Sequence, residues 1–305
     1  MGKIPRIKYK GMELLPPKAD LVFKALLTAG GDLELLASLL SCILGHDIHA
    51  NDVAVANTEL PRTHEEGKLA SVDVRVRLAD GRHVNVEMQV GDEHNITARS
   101  IYYASKLYTE QMKPRMDFSD ICPAIAVNIL DFHFLHLESC HNRYRLKNME
   151  GGSELTDVFE IHFIELPKVS RKTKNGLKEL WLLFFAAGSE EELCMLANEE
   201  PIIEKALNKL VYVSADEQLR YELDMREKFE LDHYSALAGR ERKGREEGMR
   251  EGLREGRAEG MREGLREGRE EGKREVVAGM RKKNFADDVI AGIVNLPIEE
   301  VRKIK

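Results

Sequence analysis

Two acidic residues and a glutamine share one face of a predicted β-hairpin. Asp73 and Glu87 stand in consecutive segments of alternating polar and apolar residues, and Gln89 follows in the second segment. Strand side chains alternate between two faces, so Glu87 and Gln89 point the same way. Two carboxylates that face each other repel unless a cation or a proton is shared between them. Oxygen ligands suit a hard cation such as Mg²⁺, which would acidify a bound water and stabilise charge on a phosphate.

The turn between the two segments decides whether the carboxylates meet. A two-residue loop would mix polar and apolar side chains on both faces of the hairpin. A three-residue loop, Ala79-Asp80-Gly81, with its glycine in the left-handed region, makes both faces uniform and pairs Val74 with Val86. It also sets Asp73 directly across from Glu87, with Cβ atoms about 4.5–5.5 Å apart. We predict this register.

A purely structural role for the two acids is the alternative. Arg75 and Arg77 alternate with the valines on the same strand as Asp73 and therefore share its face. Either guanidinium could neutralise a carboxylate on an exposed sheet face without any metal. Gln89 favours the metal site, because an amide there orients a water or a phosphate oxygen without adding charge.

The elements around the hairpin predict an α/β domain. Apolar residues at helical spacing run from Asp20 to Leu44, interrupted at Gly30-Gly31 and ended by Gly45, and again from Ile96 to Met112. The pattern over residues 175–237 predicts helix throughout. The order α-β-β-β-α-β indicates a sheet covered by helices. Strand patterns are predicted over residues 52–57, 70–78, 83–90, 122–130 and 158–166.

These motifs resemble the PD-(D/E)XK nuclease superfamily, because Asp73 is followed on the next strand by Glu87-Met88-Gln89. The match spans roughly residues 12–240 and the motifs occur in order. Several further segments are similar to the Rpn family of recombination-promoting nucleases and putative transposases: Asp20-Leu21-Val22-Phe23-Lys24, Lys68, Val86-Glu87-Met88-Gln89, Arg99 with Tyr102-Tyr103-Ala104-Ser105-Lys106, and Phe163-Ile164-Glu165-Leu166-Pro167-Lys168.

The resemblance implies a restriction-endonuclease-like core, with a central mixed sheet flanked by helices, followed by an all-helical C-terminal region. It implies a metal-dependent DNA endonuclease that promotes recombination or takes part in transposition. Asp73 and Glu87 would bind Mg²⁺ or Mn²⁺, and Gln89 would position water or phosphate. Glu59 and Asp20 are candidate outer acids, although Asp20 also suits a helix N-cap.

DNA phosphate contacts are expected from Lys68 and from Arg99 and Tyr103, which are four residues apart on the following helix. Ordinary packing on the helix surface is the alternative for the last two. Gln89 departs from the family pattern, because a lysine there would bring positive charge near the scissile phosphate. A nuclease-fold protein that binds DNA or assembles on it, with weak or no catalysis, is therefore the alternative function.

The C-terminal region changes composition sharply beyond Gly239. Residues 244–275 repeat glycine every four positions, with rows of Glu, Arg and Met or Leu between. Glycine weakens such a helix, so self-association would stabilise it. We predict a spacer helix or an oligomerising helix that forms a homo-oligomer, with a disordered linker as the alternative. The predicted segments are a nuclease core (12–170), a helical extension (171–240), the repeat helix (241–275) and a small helix-turn-helix-like module (276–305).

Composition narrows the class of protein. The net charge of −7 argues against a generally basic surface but leaves room for a local basic stripe. No apolar stretch is long enough to span a bilayer, and nothing resembles a signal peptide, so we predict a cytoplasmic protein without a membrane partner. The cysteines lack zinc-ligand spacing, and a histidine-rich cluster fits no common zinc site. That cluster comprises His133, His136, Cys140 and His141.

Overall fold

A computed structural model describes residues 4–56, 74–92, 94–171 and 176–304. The chain divides into two compact units, Met1–Asp232 and His233–Lys305. The first unit contains the predicted mixed sheet flanked by helices, and this confirms the predicted fold class. The finer division into segments that end at residues 170, 240 and 275 stays a prediction.

The described part of the first unit is built on a six-stranded sheet in the order β3-β4-β5-β6-β8-β7, beside a separate β1-β2 hairpin. Strands β5 and β6 are parallel, as are β6 and β8, and the other neighbours are antiparallel. The strands are β1 (Ile7–Tyr9), β2 (Met12–Leu14), β3 (Val53–Val55), β4 (Val74–Leu78), β5 (His83–Gln89), β6 (Ala124–Leu130), β7 (His141–Lys147) and β8 (Glu154–Glu165).

Helices cover both faces of the sheet. One core joins apolar residues of the helices on one side to Val84 and Val86 of β5. On the opposite face, Ala104 of helix α3 packs near Ala126 and Phe163. The helices of this unit are α1 (Asp20–Thr28), α2 (Glu34–Leu44), α3 (Ile96–Thr109), α4 (Leu177–Ala186), α5 (Glu190–Ala197) and α6 (Pro201–Ser214); α7 (Glu217–Lys282) begins in it.

The hairpin β4-β5 has the predicted register. Val74 pairs with Val86, and the turn places Gly81 at φ +92°. The amide of Gly81 donates to the carbonyl of Leu78 at 2.9 Å, closing the three-residue loop. A Cβ on Gly81 would lie 2.7 Å from Sγ of Cys122. Both the left-handed backbone and this neighbour therefore require glycine.

Helices α1 and α2 separate where the sequence predicts it. Gly30 and Gly31 both have positive φ, at 76° and 73°, and Gly45 at φ 78° ends α2. Glycine adopts this left-handed conformation without the steric penalty that a Cβ brings. The break therefore follows directly from the two adjacent glycines.

Three strands were not predicted. The hairpin β1-β2 and strand β7 are absent from the expected order, and β8 begins at Glu154 instead of at Val158. His141 opens β7 and pairs with Ile164, in a segment for which no strand was predicted. The prediction failed because β7 is an edge strand whose residues, HNRYRLK, are half-buried or exposed and lack apolar alternation.

The second unit contains the repeat and a small helical core. The glycine repeat lies within α7, which is helical as predicted, and α8 (Asp287–Val294) and α9 (Ile298–Lys303) follow. Val277, Ile290 and Val301 are buried together. Arg281 donates to the carbonyl of Val301 at 2.8 Å and pairs with Asp287 at 3.1 Å. This arginine therefore stabilises the module from within.

Candidate active site on strand β5 and helix α3

Glu87 is a buried acid in the middle of strand β5, with 7 % of its surface exposed. Its Oε1 accepts a hydrogen bond from Nδ2 of Asn85 at 3.0 Å, and its Oε2 accepts one from Nε2 of Gln89 at 3.1 Å. Strand alternation places the three side chains on one face, as predicted. Hydrogen bonds from two amides stabilise the ionised form of a carboxylate. The two amides on this strand thus fix the orientation of the Glu87 carboxylate.

Arg99 of helix α3 lies over this carboxylate. Its Nη2 is 3.7 Å from Oε2 of Glu87, and 32 % of its side chain is exposed. The guanidinium carbon is 5.9 Å from the ring centroid of Tyr103, one helical turn further along. The structure therefore places Arg99 beside the predicted acid.

Asn85 supplies a buried acceptor next to Glu87. The residue is 2 % exposed, and its Oδ1 has no hydrogen-bond partner within the residues that the structure describes. Such an atom is costly to bury unless water or an ion satisfies it. A hydrated Mg²⁺ keeps several waters, whose protons could satisfy Asn85. The pair of Glu87 and Asn85 therefore fits a hydrated divalent cation.

The described residues contain no group of three or more His, Cys, Asp or Glu side chains that could hold a metal ion. Three predicted site residues, Glu59, Lys68 and Asp73, lie outside the described residues. Arg75, which shares the hairpin face with Asp73 in the sequence pattern, pairs across the strands with Asn85 and lies 3.7 Å from Glu110. The described part of the site thus contributes one acid, two amides and nearby cations.

Asn128 anchors helix α3 to the sheet. It is Glu87's partner on the parallel strand β6 and is 2 % exposed. Its Oδ1 accepts from Oγ of Ser100 at 2.9 Å, and its Nδ2 donates to the carbonyl of His162 at 3.1 Å. Sequence reasoning missed this residue. The available signal was one amide within the apolar run AIAVNIL.

Asp20 occupies a different place from the one expected. It is the first residue of helix α1, and Ala19 is the N-cap, so the N-cap prediction was wrong. The carboxylate accepts from the amide of Leu21 at 2.7 Å and pairs with Arg226 at 2.8 Å. Burial raises the pKa of Asp20, and Arg226 opposes the shift. Its role as an outer acid stays a prediction.

A second cation lies at the carboxyl ends of β5 and β6. Nζ of Lys18 is 2.6 Å from Oδ2 of Asp131, and the amide of Asp131 donates to the carbonyl of Gln89 at 2.8 Å. No sequence pattern connects these residues, because they come from separate parts of the chain. The contact ties the segment before α1 to the end of the strand that carries Glu87.

His141, a member of the histidine-rich cluster noted in the sequence, takes part in a network with residues of strand β8. His141 Nε2 lies 2.8 Å from His162 Nδ1, and His162 also contacts Glu160, which pairs with Arg145. Burial lowers the pKa of His141 to about 4. Although burial opposes it, hydrogen bonds from His162 and Arg145 lower the pKa of Glu160 to about 2. These residues connect β7 to β8 through buried charge.

Comparison with known proteins gives one match. The model of a family described as PD-(D/E)XK nuclease family transposase covers residues 17–240. Neither a curated protein nor a solved structure matches the chain. The matched range includes Glu87, Gln89 and Arg99. No helix among the described residues combines the length and apolar character needed to cross a membrane.

Proposed function

The chain belongs to the family described as PD-(D/E)XK nuclease family transposase, and on that premise we propose that it is a divalent-metal-dependent DNA endonuclease. The match to this family over residues 17–240 confirms the resemblance seen in the motifs. Membership indicates a nuclease- or transposase-related role. The observation that carries the finer proposal is the buried Glu87, which receives amide hydrogen bonds on both oxygens.

In the proposal, Glu87 and Asp73 are the protein ligands of Mg²⁺ or Mn²⁺. Support for Asp73 comes from the hairpin register, in which Val74 pairs with Val86 and Asp73 and Glu87 are the next residues outward in sequence. The cation would lower the pKa of a bound water and stabilise charge on the scissile phosphate.

Gln89 acts as a positioning residue. Its amide nitrogen holds Oε2 of Glu87, which leaves its carbonyl oxygen to accept a hydrogen bond from a water molecule. An amide that donates to the carboxylate and accepts from a water molecule orients that nucleophilic water relative to the carboxylate. It does so without changing the charge of the site. This role differs from that of a lysine, which donates and carries charge together.

DNA is the proposed substrate, and its phosphates would meet Arg99, Tyr103 and Lys68. Arg99 is partly exposed beside Glu87, so it is accessible to a backbone phosphate. Arginine suits this contact because its planar fork matches phosphate oxygens. Promotion of recombination or a part in transposition is the proposed biological setting.

The proposed homo-oligomer uses the repeat of helix α7. The apolar row of that repeat is exposed in the chain, and such a row gains stability when a second copy covers it. Glycines at every fourth position allow close backbone approach. The exposed row consists of Met249, Leu253, Met261 and Leu265.

A second candidate function follows from the neutral residue at position 89. A nuclease-fold protein with Gln89 could bind or assemble on DNA with weak catalysis or none. Such a protein retains DNA at low salt and loses it as salt rises, because phosphate contacts release counterions. It would leave plasmid DNA intact in the presence of every divalent cation.

The test is cleavage of supercoiled plasmid in Mg²⁺, Mn²⁺, Ca²⁺ or EDTA. We expect the wild-type protein to nick or linearise plasmid with Mg²⁺ or Mn²⁺. Glu87→Gln and Asp73→Asn should lower the rate by at least about 10²-fold, since each loses a metal ligand. Glu204→Gln, at an exposed position of α6, is the matched control and should cleave normally. Intact plasmid with retained DNA binding would favour the second candidate.

A further inference from the structure

Two side chains contact the same oxygen of Glu87 from different elements. Nε2 of Gln89 lies 3.1 Å from Oε2 and belongs to strand β5. Nη2 of Arg99 lies 3.7 Å from the same Oε2 and belongs to helix α3. The first contact is a hydrogen bond without charge, and the second adds charge at a longer distance. A lysine at position 89 would combine both properties in one group.

We propose that Arg99 supplies from helix α3 the positive charge that Gln89 cannot supply from strand β5. The inference rests on the proposed function of the same site. Gln89 keeps the hydrogen bond to the acid, and Arg99 neutralises charge at Glu87 and at a phosphate that approaches it. The positive charge thus comes from helix α3 and not from strand β5, but it is placed beside the same oxygen, Oε2 of Glu87.

The surroundings of Arg99 support a fixed position. Ser100, the next residue, is buried and its Oγ donates to Asn128, so the helix is tied to strand β6 at this turn. The ring of Tyr103 lies 5.9 Å from the guanidinium carbon on the same helical face. A guanidinium held between an aromatic ring and a buried acid is preoriented for phosphate.

Two further cations near the site also contact acids among the described residues. Lys18 is 2.6 Å from Asp131, an acid that follows β6. Arg75 is 3.7 Å from Glu110, an acid that follows α3. Arg99 contacts Glu87, one of the two proposed metal ligands. Its partial exposure adds access for DNA, which a fully buried cation would lack.

The experiment transfers the positive charge from position 99 on helix α3 to position 89 on strand β5. We expect Arg99→Gln to lower the single-turnover cleavage rate in Mn²⁺ by about 10²-fold, since one preorganised charge is lost. Adding Gln89→Lys in the same chain should restore the rate to within roughly tenfold of the wild type. Arg143→Gln removes the same charge from an exposed position on β7 and should leave the rate unchanged.

DNA affinity measured in Ca²⁺ gives a readout without turnover. Arg99→Gln should weaken binding of a fluorescent duplex by roughly tenfold, and Gln89→Lys should recover it. The slope of log affinity against log salt should fall by about one in Arg99→Gln and return in the double variant. Binding of Mn²⁺ followed by electron paramagnetic resonance should not weaken in Arg99→Gln, because a cation beside the ligand has been removed.

The outcomes separate the two proposals. Absence of cleavage by the wild type would reject the proposed endonuclease. Recovery of DNA affinity in the double variant would still support the inference that Arg99 supplies the charge that Gln89 lacks. A double variant as weak as Arg99→Gln in both cleavage and binding would overturn the inference. So would an Arg99→Gln protein that cleaves and binds DNA as the wild type does.

Discussion

Nη2 of Arg99 and Oε2 of Glu87 lie 3.7 Å apart, which joins helix α3 to strand β5 at the proposed metal ligand. The pair is longer than a hydrogen bond, so its effect is mainly electrostatic. A guanidinium in this position stabilises the ionised acid and offers charge to an incoming anion. Substitutions on helix α3 should therefore affect the site as well as substitutions on strand β5.

Tyr103 should influence activity through Arg99. Tyr103→Leu removes the ring that the guanidinium contacts, and we expect the cleavage rate to fall by roughly two- to fivefold, as for a cation–π contact of about 0.5–1 kcal/mol. Tyr103→Phe keeps the ring and should remain close to the wild type. Tyr221→Leu removes an exposed tyrosine ring from helix α7 and serves as the control. Equal rates for Tyr103→Leu and wild type would reject this role.

Asn128 should stabilise the fold and hold α3 in place. Asn128→Ala leaves the carbonyl of His162 and the hydroxyl of Ser100 without this partner, so we expect a loss of about 1–3 kcal/mol in the free energy of unfolding in urea. Asn142→Ala loses one exposed bond to the carbonyl of Ser139 and should cost less than about 1 kcal/mol. Similar losses for both variants would contradict the anchoring role.

Gly81 should resist substitution for two separable reasons. Gly81→Ala places a Cβ at φ +92° and 2.7 Å from Sγ of Cys122, and we expect a loss of about 1–3 kcal/mol in unfolding free energy. Cys122→Ala in the same chain should recover the part caused by the clash and leave the backbone strain. Gly151→Ala, with open space and no positive φ, is the control. Full recovery by Cys122→Ala would show that the backbone contributes nothing.

Acid should destabilise the β7-β8 network in two steps. Burial lowers the pKa of His141 from 6.5 to about 4. As pH falls, the unfolded chain therefore protonates this histidine at a higher pH than the folded chain does. Stability is lost as pH falls from 6.5 to about 4. The pKa of Glu160 falls from 4.5 to about 2 despite its burial, because His162 and Arg145 hydrogen-bond to it. Its contribution is present above pH 4.5 and is lost as pH falls towards 2.

Urea unfolding measured from pH 7 downward checks both steps. His141→Gln should flatten the upper part of the pH profile, and Glu160→Gln should flatten the lower part. His136→Gln, outside the network, is the control for the first variant. Unchanged profiles in both network variants would reject the assignment.

Self-association through the repeat should depend on its apolar row. We expect the wild type to sediment as an oligomer. A variant in which serine replaces the four apolar residues of the row should dissociate at least about tenfold more readily, because less apolar surface is buried. Replacing four glutamates of the same helix by glutamine is the control. A monomeric wild type would contradict the proposed homo-oligomer. The serine positions are Met249, Leu253, Met261 and Leu265, and the control positions are Glu251, Glu255, Glu259 and Glu263.

The sequence by itself determined the local parts of the site. Alternation in β5 fixes Glu87 and Gln89 on one face, and a glycine at position 81 sets the register of the hairpin. The pair Gly30-Gly31 likewise separates the first two helices. These features follow from backbone geometry within a few residues, so periodicity and turn chemistry are sufficient to predict them.

Only the tertiary structure decided which distant side chains meet. Arg99 contacts Glu87 and Lys18 contacts Asp131 because helices and strands pack in a particular register, which no local pattern specifies. Strand β7 escaped prediction for a related reason, since hydrogen bonds to β8 form it without an apolar pattern of its own. Local periodicity fixes the face on which a residue lies, whereas long-range packing fixes the partner that it finds there.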